Sequence, residues 1–495
     1  MRQLFATFAT LILLVPALAI ASPVWKESTK TQARIEELVA NAADAEQTVG
    51  QLADLFNLAQ PEMVSPDVNR PQFANGTSGQ LISTDLQLAM TQLSIHIGSN
   101  NQIRVLRAQA DRHDALVVKD GNFTLRDLAK AAEAQGFDGL RMVGDVARLT
   151  RPLVVWLGAG LQLEPGDTLQ MDAASGAFLL GFGQIEMIGA EVRASAVQSD
   201  PESYRPFVLI TGQGTIYAQE TRFSGLGMVG ADPFSGVVVA ARGLFPPEFP
   251  PTLTRNTFED LGVVGFIGVN DGLLIGNLIK AGRGGGISLN TVKNIRLSDN
   301  AVIGSNGGAG VKLSNGNGVL LTGNLVSGGA RNGISVGGNS DGVSIRGNAI
   351  LANAETGIAT QRATCVLVAD NSIARNGASG LRLNESGVSS VQGNALVMNK
   401  NSGVHVGAQR KGGRIEVSDN LLAGNRVGLT GVAIGDVVLD QNNLSAQMPR
   451  LFDGEFSQYL AAYLKQVQQH SGNSYRISGS NGAETGSYLT TCKKV

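Results

Sequence analysis

The sequence predicts an all-β fold, a right-handed parallel β-helix with helical segments before it and a capping helix after it, and three observations predict it. Glycine supplies 63 of the 495 residues, nearly twice the usual proportion of about 7%, and the glycines recur at regular intervals. Two rows of residues repeat with the same period. The segments between these rows alternate apolar and polar residues with a period of two, which is typical of strands rather than helices.

The repeats begin near residue 255 and form coils of 21–26 residues. A row of asparagines closes one apolar strand in each coil: Asn277, Asn300, Asn324, Asn348, Asn371, Asn394 and Asn420. A row of glycines opens the first strand of each coil: Gly286, Gly310, Gly333, Gly357, Gly380, Gly403 and Gly428. A repeat of this length holds two or three strands and no helix, so stacked coils bury their Ile, Val and Leu residues in one core. We expect the asparagines to tolerate left-handed backbone and to bond their amides to the next coil. A leucine-rich horseshoe is the alternative, but its Leu-x-x-Leu-x-Leu pattern is absent.

Residues 1–21 have the pattern of a secretory signal peptide. Arg2 provides the basic start, residues 4–18 are largely apolar, and Ala19-Ile20-Ala21 supplies the small residues of a cleavage site. We therefore expect a mature chain that begins near Ser22 and is periplasmic or secreted. The alternative is an uncleaved membrane anchor, for which the apolar stretch is short compared with a span of about 20 residues. No later segment predicts a membrane span in the mature chain.

The mature chain divides into three predicted segments. Residues 22–120 form a helical and irregular leader, residues 121–450 form the β-helix, and residues 451–495 form a C-terminal capping helix and tail. The β-helix is expected to start with irregular coils over residues 151–240, where strand-like segments alternate with glycine turns.

Three helical segments are predicted around the coils. Residues 30–56 of the leader have helical periodicity. Thr124 occupies the N-cap position of a short cap helix. Residues 456–469 form an amphipathic helix, which we expect to cover the open edge of the last coil.

Charge and cysteine content constrain the function only weakly. Lys and Arg number 39 and Asp and Glu number 41, so the net charge argues neither for nor against a polyanionic partner. Cys365 lies in an apolar strand and Cys492 lies near the end of the chain. The sequence favours a buried free thiol at Cys365 over a disulfide between the two.

Several stretches resemble the periplasmic mannuronan C5-epimerase family, in register over roughly residues 113–470. These stretches are Arg151-Pro-Leu-Val-Val155, Leu163-Glu-Pro-Gly-Asp-Thr-Leu169, Ser175-Gly-Ala-Phe-Leu-Leu180, Tyr204-Arg-Pro-Phe207, Phe258-Glu-Asp260, the cap-helix run 123–131 and the C-terminal helix. The resemblance implies a β-helix that inverts C5 of mannuronate residues within a polymer. In that family a base removes the C5 proton, a cation neutralises the substrate carboxylate, and a proton returns from the other face.

The residues that carry this chemistry in the family are replaced here. The family has Asp-Pro-His-Asp after the glycine of one coil, and the matching positions are Ser288 and Thr291 for the two aspartates and Asn290 for the histidine. Asn315 stands where the family has an arginine in the next coil. Asparagine cannot exchange a proton near neutral pH, and loss of the arginine removes the stabiliser of an enolate-like intermediate. The sequence therefore predicts that conventional epimerase chemistry is absent at this position.

Polar and basic residues nevertheless recur on the outward positions of the main strand. They form a column of Ser288, Lys312, Ser335, Ala359, Arg382 and His405. With Arg331 in a flanking turn, the residues Lys312, Arg382 and His405 are the candidate substrate-binding residues. The alternative is a solvated face whose charges keep the solenoid soluble. His405 could act as a base beside Arg382, or it could be an ordinary surface histidine.

Three functional hypotheses remain open. The first is a periplasmic β-helix protein that binds or guides an anionic exopolysaccharide, and the second is an active epimerase or lyase on a uronate polymer. The third is a structural component of a polysaccharide export complex, with synthesis and export proteins as partners. The spacing of His, Cys and acidic residues indicates no metal site, and no motif indicates a cofactor or a nucleic-acid partner.

Overall fold

The computed structural model describes residues 29–60, 70, 79–97, 102–109, 114–195, 203–241, 246–247, 249–447, 449–469, 474–479 and 492. Three long sheets wind around a common core, and nearly every strand pairs in parallel with the equivalent strand of the next coil. The predicted all-β fold class, a parallel β-helix with helical segments before it and a helix after it, is confirmed. The predicted signal peptide lies outside the described residues.

The strands are grouped by sheet. The first sheet contains Leu81–Asp85, Asp114–Val118, Leu153–Val155, Leu179–Gly181, Val208–Thr211, Gly236–Ala240, Val263–Ile267, Ile287–Asn290, Val311–Ser314, Ile334–Gly337, Ile358–Gln361, Leu381–Asn384, Ser402–Gly407, Val427–Val432 and Arg450–Gly454. The second sheet contains Asn122–Thr124, Gly160–Leu163, Gln184–Ile188, Thr215–Gln219, Thr252–Thr254, Leu273–Ile275, Arg296–Ser298, Asn317–Thr322, Asp341–Arg346, Thr364–Ala369, Ser389–Gln392, Arg414–Ser418, Asp436–Asp440 and Tyr475–Ser478. The third sheet contains Leu140–Val143, Val146–Leu149, Thr168–Met171, Glu191–Ala194, Arg222–Ser224, Thr257–Glu259, Leu278–Lys280, Ala301–Ile303, Leu325–Ser327, Ala349–Leu351, Ser372–Ala374, Ala395–Val397 and Leu421–Ala423.

The predicted asparagine row forms a ladder of side-chain hydrogen bonds between the second and third sheets. Asn324 is representative, because its Nδ2 donates to Asn348 Oδ1 at 2.9 Å and its backbone N–H donates to the same oxygen at 2.8 Å. The predicted bonding from coil to coil is therefore confirmed. The left-handed residue is not the asparagine but the residue before it, for example Gly323 at φ 66° and Asp299 at φ 58°.

A second ladder, which the sequence did not reveal, lies at the corner between the third and first sheets. It consists of Asn353, Asn376, Asn399, Asn425 and Gln447. All five side chains are buried. Each amide satisfies the buried polar atoms of its neighbours, so the two ladders fix the register of successive coils.

Helices α1 (Thr29–Ala40) and α2 (Ala45–Phe56) cover the outside of the third sheet. The predicted helical segment is thus two helices, and Asp44 caps the second by accepting a hydrogen bond from the Gln47 backbone at 2.8 Å. Leu52 on α2 and Leu325 on the sheet are both completely buried in the contact between them. The leader therefore packs along the solenoid.

Helices α3 (Leu86–Ile97) and α4 (Gln102–Arg107) lie on the outer face of the first sheet, over its early strands. Their side chains and those of the sheet below form a separate apolar cluster outside the main core. We call the two helices and this cluster the lid. Strands Leu81–Asp85 and Asp114–Val118, from the predicted leader 22–120, form one end of the first sheet. Strand Arg450–Gly454 forms its other end.

The two ends of the solenoid are covered. Helix α5 (Leu125–Ala134) packs on the first coil, and its predicted N-cap Thr124 accepts a hydrogen bond from the Asp127 backbone, as expected. A 3₁₀ helix (Glu455–Tyr459) and helix α6 (Leu460–Gln469) follow the last coil, close to the predicted bounds. Strand Tyr475–Ser478 pairs antiparallel with Asp436–Asp440. It thereby covers the edge that the last coil would otherwise expose in the second sheet.

Cys365 and Cys492 form a disulfide, with their Cα atoms 5.3 Å apart. The prediction of a free thiol at Cys365 is therefore wrong. The bond ties residue 492 to the outside of the second sheet, because Cys365 is a partly exposed residue of the strand Thr364–Ala369. Of the helices that the structure describes, none combines the length and the apolarity that crossing a membrane requires.

Candidate functional site

Several of the stretches that carry the family resemblance are joined by ion pairs in which one partner is buried. Arg205 donates to Asp260 at 2.7 Å, which joins two of these stretches. Arg126 on α5 donates to the buried Asp167 at 3.0 Å, which joins two more. Arg151 contacts Asp114 in the first coil. The resemblance is therefore concentrated in residues that hold the coils together.

The four positions that we expect to correspond to the family's catalytic residues lie on neighbouring coils. Ser288 and Asn290 are partly exposed on the outer side of strand Ile287–Asn290, and Thr291 follows in the turn with φ 55°. Asn315 occupies the corresponding turn of the next coil with φ 53°. The only side-chain hydrogen bond among the four joins Thr291 Oγ1 to Asn290 Oδ1 at 3.1 Å. This cluster contains no titratable group, so it offers no base for proton transfer.

The predicted outward column is in register in the structure. The first-sheet pairs are Ser288↔Lys312, Lys312↔Ser335, Ser335↔Ala359, Ala359↔Arg382, Arg382↔His405, His405↔Thr430 and Thr430↔Asp453. We call this surface, from Ser288 to Asp453, the open face. Neighbouring coils are about 4.8 Å apart, so the column is a row of polar side chains that is interrupted by the buried Ala359.

Lys312 and Arg382 are exposed on the open face, and neither makes an ion pair with a residue that the structure describes. Arg331 lies in the turn beside the face and pairs with Glu355 at 2.9 Å. The structure therefore brings Lys312, Arg382 and His405 to one surface and leaves Arg331 at its margin with its charge partly neutralised. The role of all four in binding stays a prediction.

His405 is the one residue of the open face that combines burial with a group able to exchange a proton near neutral pH. Burial lowers the pKa of its imidazole, and the adjacent Arg382 guanidinium lowers that pKa further. The ring is therefore neutral at pH 7.

The histidine ring and a neighbouring amide converge on one glycine. His405 Nε2 and Asn384 Oδ1 lie 3.0 and 2.8 Å from the point that a Cβ on Gly407 would occupy. The glycine therefore leaves room for both polar atoms at the surface. A neutral base, an amide and a guanidinium thus stand side by side on strands Leu381–Asn384 and Ser402–Gly407.

Sequence reasoning missed three parts of this surface. Asn384 was available as a signal, because it follows Arg382 by two residues and so points the same way from the strand. Thr430 and Asp453 continue the column beyond the last regular repeat. The lid was missed because α3 carries no Asp, Glu, Lys or Arg and its predominantly apolar sequence shows little helical amphipathicity.

The comparisons with known proteins agree with the architecture. Residues 252–446 match the model of the family described as periplasmic copper-binding protein (NosD). A comparison with curated protein sequences gives no match. The crystal structure of the periplasmic alginate epimerase AlgG is similar with a TM-score of 0.62 and 17% identity, over 79% of this chain and 99% of that one. The A-module of the mannuronan C-5 epimerase AlgE4 from Azotobacter vinelandii has a TM-score of 0.36 and 15% identity, over 66% of this chain and 89% of that one. The predicted likeness to the epimerases is confirmed as a likeness of fold.

Proposed function

We propose that this protein binds an anionic polysaccharide, of the uronate class, along the open face. The observation that carries the proposal is the pair of exposed cations Lys312 and Arg382, which lie three strands apart in one column of the first sheet and make no ion pair with a described residue. The half-buried His405 is the neighbour of Arg382 in that column. A linear polyanion laid along the solenoid would meet these groups in a fixed order. The fold that this chain shares with the periplasmic alginate epimerase AlgG supports the choice of polymer class.

We propose a periplasmic or secreted location for the protein. A disulfide between Cys365 and Cys492 supports it, because such bonds persist in oxidising compartments. The family whose model matches is described as copper-binding, but the described residues of this chain do not fit a copper site. Among them, no three His, Cys, Asp or Glu side chains gather to hold a metal, and both cysteines are in the disulfide.

Affinity electrophoresis through gels that contain polymannuronate or polygalacturonate tests the binding proposal. The variant with Lys312→Ala and Arg382→Ala is expected to lose most of its retardation, because two charge-assisted contacts are removed. The variant with Arg346→Ala and Arg296→Ala is the matched control, since both arginines lie on the second sheet and their loss removes the same two charges without touching the open face. Equal retardation of all three proteins would refute binding at the open face, and would favour a structural role in an export complex.

A second candidate function is proton transfer at a uronate C5 by His405. The neutral imidazole beside Arg382 favours it, because a base and a carboxylate-neutralising cation are what C5 deprotonation requires. Incubation with polymannuronate in deuterated water would show C5 exchange in the wild type and none in His405→Gln. Absence of exchange and of unsaturated products in the wild type would exclude this candidate and leave the binding function intact.

A further inference from the structure

We infer that the open face is closed at one end, so that it takes the end of an anionic polysaccharide chain rather than a stretch from its middle. The inference rests on the proposed function, because it assumes that a polyanion lies along the open face. It follows from the position of the lid on the same sheet.

The lid occupies the positions that continue the open face toward the start of the solenoid. The register runs from Ser288 back through Gly265, Val238, Leu209 and Leu180. Val238 is 1% exposed and the two leucines are completely buried under the lid. A polymer on these strands would have to displace their apolar cover.

The lid spans the full width of the sheet. At the end of α3, the His96 ring lies against Gly212, which directly follows strand Val208–Thr211. Beyond the end of α4, Gln109 Nε2 donates to the Gly176 carbonyl at 2.8 Å, just before strand Leu179–Gly181. His96 therefore lies at one margin of the sheet and Gln109 at the other.

The lid is a packed layer rather than a loose flap. Leu86 and Leu93 of α3 are completely buried. Under the helices, Phe178 stacks on Phe207 with ring centroids 4.7 Å apart, and Phe234 continues the row at 5.0 Å. Opening the lid would expose these large apolar side chains to water, which opposes displacement of the lid by a bound saccharide.

The change from lid to open face is abrupt. Val263 and Ile267, on the strand before Ser288, still pack against the lid cluster. Gly265 between them is buried and has no side chain, and the next position of the column is the polar Ser288. The terminus of a bound chain would therefore lie near Gly265, beside the cluster of Ser288, Asn290 and Thr291.

The opposite end of the open face has no such cover among the described residues. Val432 is 57% exposed and Gly454 is exposed. Helix α6 and the 3₁₀ helix instead place Phe456 and Tyr463 in the interior core under the last coil. The eight positions from Ser288 to Asp453 span seven steps, or roughly 34 Å at the usual strand separation. A pyranose unit in an extended chain is about as long as one coil is high, so the face accommodates about one sugar per coil.

Isothermal titration of the full-length protein with oligomannuronates of increasing length, and with two polymannuronates of different average length, tests the inference. We expect affinity to rise with length until the open face is filled and then to stop rising. With the polymers, the number of protein molecules bound per chain should be the same for the short and the long sample. Protein bound in proportion to polymer length would overturn end recognition while leaving the proposed function in place.

End-labelled oligosaccharides give an independent test. A bulky fluorophore on the terminus that faces the lid should abolish binding, and the same fluorophore on the other terminus should be tolerated because that end leaves the face. Equal binding of both labelled sets would overturn the inference. Failure of every uronate oligomer and polymer to bind would overturn the proposed function and the inference together.

Discussion

The contact between α2 and the third sheet contains a carboxyl group whose ionisation opposes docking. Asp299 lies at a corner of the solenoid, and burial raises its pKa to about 6, with a further contribution from Glu46 on α2. The ordinary value of 3.8 applies when the chain is unfolded. The folded protein therefore binds this proton more tightly than the unfolded chain does.

The sign of the effect follows from linkage. Below about pH 4 the carboxyl is protonated in both states and imposes no cost. As the pH rises through 6, the folded protein must ionise a desolvated carboxyl next to Glu46, so stability is lost and stays lost above that pH. At 1.36 kcal/mol per pKa unit the shift corresponds to about 3 kcal/mol. Because the side chain is only partly buried, solvent screening reduces the expected effect to about 1–2 kcal/mol.

Asp299→Asn should therefore stabilise the protein by about 1–2 kcal/mol at pH 7.5 and by little at pH 4. Urea unfolding followed by circular dichroism measures the difference, and hydrogen exchange over residues 29–56 locates it. Glu46→Gln should give a smaller gain at pH 7.5, and adding it to Asp299→Asn should give nothing more, since the repulsion needs both charges. A gain that is equal at the two pH values would refute the reasoning.

Three further predictions concern other parts of the molecule. Affinity for polymannuronate should rise as the pH falls through the titration of His405, because an imidazolium adds a positive charge to the open face. His405→Gln should show no such rise. Electrophoretic retardation from pH 7.5 to 5 measures the difference. Asn348→Ala removes a buried ladder residue whose side chain donates to Asn371 at 2.9 Å. This substitution should lower the free energy of unfolding in urea by about 3 kcal/mol, whereas Asn401→Ala, at an exposed position, should lower it by less than about 0.5 kcal/mol. Reduction of the disulfide between Cys365 and Cys492 should lower the free energy of unfolding by about 2–4 kcal/mol. An unchanged unfolding midpoint in reductant would show that the disulfide does not constrain the unfolded chain.

The repeating part of the fold could be predicted from the sequence because each coil contains the same pattern of glycine, alternating apolar residues and asparagine. The glycine before Ile334, the alternation from Ile334 to Val336 and the asparagine at the corner recur in every coil, so one coil predicts the next. The prediction of left-handed backbone at the asparagines was wrong, because a neighbouring residue adopts that conformation. The left-handed corner belongs to the residue before each asparagine, such as Asp299, because the asparagine side chain is needed for the ladder.

The non-repeating features depend on contacts that sequence spacing does not encode. Cys365 and Cys492 are 127 residues apart, and only the course of the C-terminal tail brings them together. The lid depends on α3 meeting an apolar stretch of the first sheet that resembles interior strand in the sequence. The outward column was predictable because strand periodicity alone sets the direction of Lys312, Arg382 and His405.

The partly buried ion pairs of the early coils, such as Arg205 with Asp260, have a consequence for how such a protein can change over time. The contacts that keep the stack intact and the groups that could face a ligand lie on different residues. An outward side chain can therefore be exchanged in one coil without weakening the coils on either side. Substitutions at Asn290 and at His405, which lie in different coils, can therefore occur independently of each other.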